Sequence, residues 1–297
     1  MTVDVVRDMS RVMDALGPEQ NQQLDYWAGQ YQKLLNTVTS AGGPAGRQIK
    51  NWLNGVWLGH PLHPALTDAA IGAWSTGFIL DVVGATREAD AAMTVGVLAA
   101  VPTALSGSAD FADISEEPRR IALIHAVLNA TGLVLMVGSL AARRGDKRGL
   151  GIGLSTLGLG LTGVSAWLGG ELVYRLGTQV SRIAFEPHVE EFQVVCPEAE
   201  LPEGKLVAKT VSVEGGEFSI ALLKKGHNVQ AVSNACPHWG GPLAEGKLLE
   251  DDTVVECPWH GSQFNLVDGR VCQGPAAEPT NVFETRIREG KVEVRRR

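Results

Sequence analysis

The sequence predicts a multidomain protein: an all-α four-helix transmembrane bundle followed by a small all-β domain. The chain has 297 residues, 44% of them apolar and 20% charged, which is enough for about two domains and favours burial. Runs of Ala, Gly, Leu and Val are concentrated between residues 65 and 173, whereas the chain from residue 182 onward has the composition of a soluble domain. We therefore predict an N-terminal amphipathic or interfacial helical segment over 1–55, a transmembrane domain over 56–178 and the all-β domain over 179–297.

The N-terminal segment contains aromatic and leucine side chains at roughly helical spacing between residues 27 and 35. Residues 1–17 lack a basic region followed by an apolar run and a cleavage site, so they do not form a secretory signal peptide. Trp52 and Trp57 lie close to the first apolar stretch, where tryptophan is typical of a membrane interface. The pattern predicts either an interfacial helix or a soluble helix that packs on the C-terminal domain.

Four apolar stretches have about the length that a helix needs to cross a bilayer. They are residues 65–84, 91–107, 121–141 and 149–173, the second being short and containing Pro102. All four are rich in Ala, Gly, Ser and Thr, which allow helices to pack closely in lipid. We therefore predict four helices in one bundle surrounded by membrane lipid.

Ionisable and polar groups accompany the first and third of these stretches. His60 and His63 precede the first helix and Asp68 lies within it, while His125 and Asn129 are four residues apart and share a face of the third. Alternate helices start on the same side of the membrane, so these groups should meet at one end of the bundle. The histidines could clamp a b-type haem between two helices, or bind a quinone head group together with Asp68 and take up its protons. The alternative is that they are satisfied interfacial residues of a plain anchor.

The second cluster of metal-binding residues lies in the C-terminal domain. Cys236 and His238 are followed, after eighteen intervening residues, by Cys257 and His260. Two cysteines and two histidines could hold tetrahedral zinc or a [2Fe-2S] cluster in which the cysteines bind one iron and the histidines the other. Each pair lies on its own loop marked by Gly and Pro, whereas a zinc finger carries its histidines on a helix, so the cluster is favoured.

The two loops resemble those of the Rieske family. "CPHWGGPL" and "CPWHGSQF" match the family's paired loops, and the later "LVDGRVCQGPAAEP" and "FETRIREGKVEVRR" are similar to its last strands. The resemblance covers about residues 190–297 and implies an all-β Rieske-type iron–sulfur domain with the four residues as cluster ligands. Short runs rich in β-branched residues, separated by turn residues, agree with this fold.

The resemblance also makes residues around the cluster candidates for tuning it. High-potential members have a second cysteine in each loop, but the corresponding neighbourhoods here contain Gly240 and Pro242 in one loop and Trp259 in the other. The domain is therefore similar to dioxygenase ferredoxins and to the small subunit of nitrite reductase. Ser262 could donate a hydrogen bond to a cluster sulfur, while Phe264 lacks the hydroxyl of the tyrosine in high-potential members. We expect a low to intermediate reduction potential within the family range of about −150 to +300 mV.

The implied function is electron transfer by a membrane-anchored protein. The remaining cysteines, Cys196 and Cys272, match no ligand position and are expected to be free buried thiols. Beyond the membrane part only His188 and His227 remain for a mononuclear iron, which favours an electron carrier or an oxidoreductase subunit over a stand-alone catalyst. The "HPLHP" segment, residues 60–64, resembles an uncharacterised bacterial four-helix membrane family that is often fused to Rieske domains.

The expected partners are a redox protein or a quinone, and a homodimer is compatible with a small bundle. The net charge of −7 without a basic stripe excludes nucleic acid as a partner. We predict a multi-pass protein of the bacterial inner membrane. Basic residues are nearly balanced between the two faces, and a cluster without a protective disulfide favours the cytoplasmic side for the iron–sulfur domain.

Overall fold

The computed structural model describes residues 17–114, 116–214 and 216–297, with residues 116 and 117 described by their backbone alone. We expect residues 1–17 not to form a signal peptide, and of these residues only Gly17 is among those described. The chain forms two compact units. The first contains the chain up to Gly46 and Leu62–Thr178, and the second contains Arg47–Pro61 and Gln179–Arg297.

The described residues contain six α-helices. They are α1 (Pro18–Ala41), α2 (Gly43–Asn54), α3 (His63–Val82), α4 (Thr86–Phe111), α5 (Glu116–Arg144) and α6 (Arg148–Gly170), the last followed by a π turn over Glu171–Arg175. Helices α3 to α6 pack cyclically, because α3 packs on α4, α4 on α5, α5 on α6 and α6 on α3. Glycines allow close approach, since a Cβ on Gly96 would overlap the ring of Trp74.

Three helices are long and apolar enough to cross a membrane: Thr86–Phe111, Pro118–Arg144 and Arg148–Arg175. Helix α3 corresponds to the first predicted span, but it falls short of the same criterion. The predicted stretch 91–107 was too short, because α4 continues in both directions and contains Pro102 in its interior. Neighbouring helices can compensate for the missing backbone N–H of a proline inside a membrane helix.

One end of the four-helix arrangement contains an ionic quartet with a buried Arg143–Asp81 pair and partly exposed Arg148 and Asp90 side chains. Arg143 and Arg148 each contact both Asp81 and Asp90, with Nη–Oδ distances that include 2.9 Å for Arg143–Asp90 and 2.8 Å for Arg148–Asp81. The side chains of Arg143 and Asp81 are 1% and 3% exposed. Because the carboxylates lie on α3 and α4 and the guanidinium groups on α5 and α6, the quartet joins the two helical hairpins at no net charge.

Helix α1 packs on the opposite end of this unit. The Gln32 amide donates to the carbonyl of Phe111 at 3.0 Å, and the Tyr31 hydroxyl lies 2.8 Å from the Ser108 hydroxyl. The N-terminal segment is divided between the two units. Helix α1 belongs to the helical unit, whereas Arg47–Pro61 belongs to the β unit.

The β unit consists of two antiparallel sheets. Six strands form one sheet in the order β1-β10-β9-β4-β3-β2, and four short strands form the other in the order β5-β6-β7-β8. The strands are β1 (Gln193–Pro197), β2 (Leu206–Val213), β3 (Gly216–Lys225), β4 (Asn228–Ser233), β5 (Lys247–Leu249), β6 (Val254–Glu256), β7 (Gln263–Asn265), β8 (Val271–Gln273), β9 (Val282–Arg288) and β10 (Lys291–Arg296). The predicted β-branched runs are thus confirmed as strands, and the two Cys/His loops follow β4 and β6.

Candidate metal centre

The two Cys/His loops share one backbone design. In loop A (residues 236–241) and loop B (residues 257–262), the cysteine N–H donates to the carbonyl five residues later, at 2.9 and 2.8 Å. The N–H four residues later donates back to the cysteine carbonyl, at 2.7 and 3.1 Å. That position is glycine in both loops, with φ of 79° at Gly240 and 74° at Gly261. These are left-handed conformations, which glycine adopts at little steric cost.

This design directs backbone N–H groups at the cysteine sulfurs. The N–H groups of His238 and Trp239 donate to the sulfur of Cys236, and those of Trp259 and His260 donate to the sulfur of Cys257. A hydrogen bond between the two thiols lowers the pKa of Cys257 to about 6 and raises that of Cys236. The two sulfurs are therefore neighbours, one of them poised as a thiolate, which is the form that binds metal.

The two histidines form a second pair. The rings of His238 and His260 have centroids 5.0 Å apart at an interplanar angle of 88°. His238 is 4% exposed and its Nδ1 is buried without a hydrogen-bond partner among the described residues. Burial, followed by the positive charges of His260, Lys50 and Arg182, lowers the pKa of His238 to about 3, so its ring is neutral near pH 7.

The donor chemistry suits a [2Fe-2S] cluster. The two sulfurs are neighbours, the two imidazoles form a second pair with ring centroids 5.0 Å apart, and the unpartnered Nδ1 of His238 suits a ligand atom.

The other predicted residues take definite places around these loops. Ser262 is fully buried, and its hydroxyl accepts the N–H of Ala276 at 3.0 Å. Phe264 is fully buried in the core of the small sheet, whereas Trp259 is 58% exposed. Pro242 ends loop A and pairs with Ala235 in an isolated β-bridge.

All four cysteines are free. Cys196 is buried, as expected, but Cys272 is only partly buried because every residue of the short strand β8 is partly exposed.

Two features beside loop A were missed by the sequence analysis. The backbone N–H of Arg182 donates to the carbonyl of Pro237 at 3.0 Å, and its guanidinium lies 5.1 Å from the centroid of the Trp239 ring. From the other end of the chain, the side-chain oxygen of Asn51 accepts the N–H of Gly274 at 2.9 Å. No local pattern marks such contacts, because Asn51 and Gly274 are separated by 223 positions.

The helical unit brings together His63 and His125 at one end. Their ring centroids are 6.3 Å apart and their planes are 81° apart. Nδ1 of His63 lies 2.9 Å from the carbonyl oxygen of Thr103, and Nδ1 of His125 lies 2.7 Å from that of Ser165. A carbonyl only accepts hydrogen bonds, so each Nδ1 carries the proton and each Nε2 presents a lone pair.

Each ring also lies over a glycine, because a Cβ on Gly107 would be 2.7 Å from the His63 ring and one on Gly169 would be 3.3 Å from the His125 ring.

The remaining members of the predicted histidine site are distributed differently. Asn129 is on the same face as His125 and donates to its Nε2 at 3.1 Å. Asp68 is exposed and is not among the hydrogen-bonding partners of either histidine. It lies five residues after His63, about 140° around the helix, which directs it away. His60 precedes α3, belongs to the second unit and lies 3.0 Å from the carbonyl oxygen of its neighbour Pro61.

These features define a protein in which a β domain with two Cys/His loops is joined to a helical unit. Residues 191–284 match the Rieske [2Fe-2S] domain family, and residues 59–182 match a family described as predicted membrane protein (DUF2231). The second match begins just before the HPLHP segment but does not test that motif.

Two relatives are ferredoxins. The 3-phenylpropionate/cinnamic acid dioxygenase ferredoxin subunit of Shigella flexneri serotype 5b is 33% identical over 33% of this chain and 86% of its own length. Ferredoxin CarAc of Metapseudomonas resinovorans is 37% identical over 27% of this chain and 72% of its own length. The chain therefore belongs to the Rieske [2Fe-2S] ferredoxin family.

Among solved structures, a chain from the complex of reduced oxygenase and oxidized ferredoxin in carbazole 1,9a-dioxygenase is 31% identical, with a TM-score of 0.31 over 35% of this chain and 92% of that one.

Proposed function

We propose that this protein is a membrane-anchored electron carrier whose Rieske cluster is held by Cys236 and Cys257 on one iron and by His238 and His260 on the other. The observation that carries the proposal is the matched pair of loops, which direct backbone N–H groups at both sulfurs. When bound, the cluster supplies reversible one-electron transfer between a donor and an acceptor.

Three features of this chain would set the reduction potential of the cluster. Hydrogen bonds to the cysteine sulfurs stabilise negative charge and so raise the reduction potential. The positive charges of Lys50 and Arg182 near His238 act in the same direction. Phe264 is a buried residue without a hydroxyl, which leaves the potential below that of members with tyrosine there.

The proposed partner is another redox protein that approaches at Trp259 and His260, which are more exposed than His238. The relatives are named as ferredoxin subunits of dioxygenases, and ferredoxins of this kind pass electrons rather than transform a substrate. We place helices α3 to α6 across the bacterial inner membrane as a four-helix bundle in contact with lipid, with the β unit on the cytoplasmic side. A homodimer stays a prediction.

The deciding experiment is anaerobic EPR of the purified, dithionite-reduced full chain, with iron and acid-labile sulfide measured on the same sample. A Rieske-type signal that disappears in Cys236→Ser but persists in the matched control Cys272→Ser is the expected result. Absence of the signal in iron-replete wild-type protein contradicts the proposal, and so does zinc in place of iron.

A second candidate function concerns His63 and His125. Their ring centroids are 6.3 Å apart. Both rings are oriented by Nδ1–H bonds to backbone carbonyls, which is the usual support for a metal-binding histidine. These observations favour a b-type haem, which His63 and His125 would hold and which would supply one-electron transfer.

A pyridine haemochrome assay tests this candidate. Haem in a one-to-one ratio should be lost in both His63→Ala and His125→Ala and kept in the control His60→Ala. If haem is absent from the wild type, the alternative is a quinol site, because the Nε2 lone pairs of His63 and His125 could accept a proton from a quinol hydroxyl. The test of that alternative is quinol-dependent reduction of the cluster. If the histidine variants change neither property, the bundle is an anchor alone.

A further inference from the structure

The segment Arg47–Pro61 exposes three of its large apolar side chains. Ile49, Trp52 and Trp57 are 62%, 56% and 57% exposed, whereas Asn54 is 2% exposed and Asn51 accepts the N–H of Gly274. A soluble domain normally shows the reverse pattern, so this outward face calls for an apolar neighbour.

The exposed tryptophans form a preorganised pair. Their rings are stacked, with centroids 5.7 Å apart and planes 17° apart. The indole N–H of Trp57 donates to the backbone carbonyl of Trp52 at 3.1 Å, which links the turn after α2 to the helix itself. Two large rings are therefore held in one orientation on the surface. Each tryptophan stays more than half exposed among the described residues.

The charge of the segment indicates which neighbour it fits. Helix α2 contains no acidic residue and two basic residues, of which Arg47 is exposed and Lys50 lies near His238. Basic residues beside exposed tryptophans are typical of a helix that lies in the headgroup region of a membrane containing anionic lipid. The chain supports this neighbour directly, because the match to the predicted membrane protein family begins at residue 59, two positions after Trp57.

We infer that Ile49, Trp52 and Trp57 insert into the lipid headgroup region and anchor the iron–sulfur unit to the bilayer surface. The inference rests on the proposed membrane anchoring and adds to it a second attachment, made by the β unit itself. Because Asn51 joins this segment to the backbone at Gly274, beside the cluster loops, the attachment would hold the cluster in a fixed orientation relative to the membrane plane.

The test uses the full chain in oriented multilayers of phosphatidylcholine with phosphatidylglycerol. EPR of the reduced cluster is recorded as the sample is rotated in the field, for the wild type, for Trp52→Ser/Trp57→Ser, and for Val194→Ser/Val267→Ser. The control valines are 55% and 52% exposed on the same unit, away from α2. Spin count per chain shows that each variant retains its cluster.

The wild type and the valine control should show an angle-dependent signal, and the tryptophan variant should lose most of that dependence. The same dependence in the tryptophan variant as in the wild type overturns the inference. So does a tryptophan variant that changes the oligomeric state in nanodiscs, because a second copy of the chain would then be the neighbour. Failure of wild-type protein to float with membranes overturns the proposed anchoring itself, which distinguishes the two failures.

Discussion

Gly241 lies where loop A meets the sulfur of loop B, and replacing it with alanine is expected to disrupt the cluster. A Cβ at this position would be 2.8 Å from the sulfur of Cys257 and 3.1 Å from the ring of Trp259. Unstrained contacts of this kind are about 3.5–4.0 Å long, so the sulfur would have to move by about 0.7–1.2 Å. Metal ligands tolerate deviations of only about 0.2 Å. The required movement is therefore several times larger than a ligand can accept.

The assay for Gly241→Ala is iron and sulfide per chain, together with the EPR spin count. Both should fall to a small fraction of the wild-type value, while circular dichroism shows an intact fold. Gly226→Ala is the matched control: Gly226 has φ of 59° but no atom within 4 Å of its added Cβ, so it carries backbone strain without a contact near the loops. Full cluster content with unchanged g values in Gly241→Ala would refute the steric reasoning.

Three further substitutions probe the two units. Ser262→Ala leaves the buried N–H of Ala276 without its partner and should cost about 1–3 kcal/mol in thermal unfolding, so an unchanged melting temperature would contradict that role. Arg143→Met breaks a buried ion pair with Asp81 and should cost about 3 kcal/mol in unfolding from detergent micelles, the lower end of the range because a second arginine still pairs.

Hydrogen bonds from two arginines hold the pKa of Asp25 below its ordinary 3.8, so the stability they provide is present above that pH and is lost as pH falls through the lowered pKa. The protection factors of the α1 amides, which are exchange rates corrected for the intrinsic effect of pH, should therefore fall in acid for the wild type. Asp25→Asn should remove this fall at a cost below about 1 kcal/mol near neutral pH.

The two Cys/His loops could be predicted from sequence because each is only six residues long and closes on itself through its own hydrogen bonds. The spacing of Cys236 and His238, and of Cys257 and His260, therefore already contains most of the local geometry. The apolar stretches were equally informative, since helix formation in a membrane depends on local composition. Their ends were less predictable, because α4 extends beyond the expected 91–107. Helix α3 has 20 residues but is the one helix of the four that lacks the apolarity of a clear span.

Tertiary structure decided which distant groups meet. It brought His63 and His125 together and left Asp68 outside. Asp68 lies five residues after His63, and each residue along a helix rotates the side chain by about 100°, so Asp68 is directed away. It divided the N-terminal segment between two units and placed Asn51 beside Gly274, a contact across most of the chain. The pattern of apolar residues within a short stretch of sequence shows which face of a helix or strand is apolar. The partner of that face depends on the packing of the whole chain, and this is why the stacking of Trp52 on Trp57 and the contact of Asn51 with Gly274 were recognised only in the folded protein.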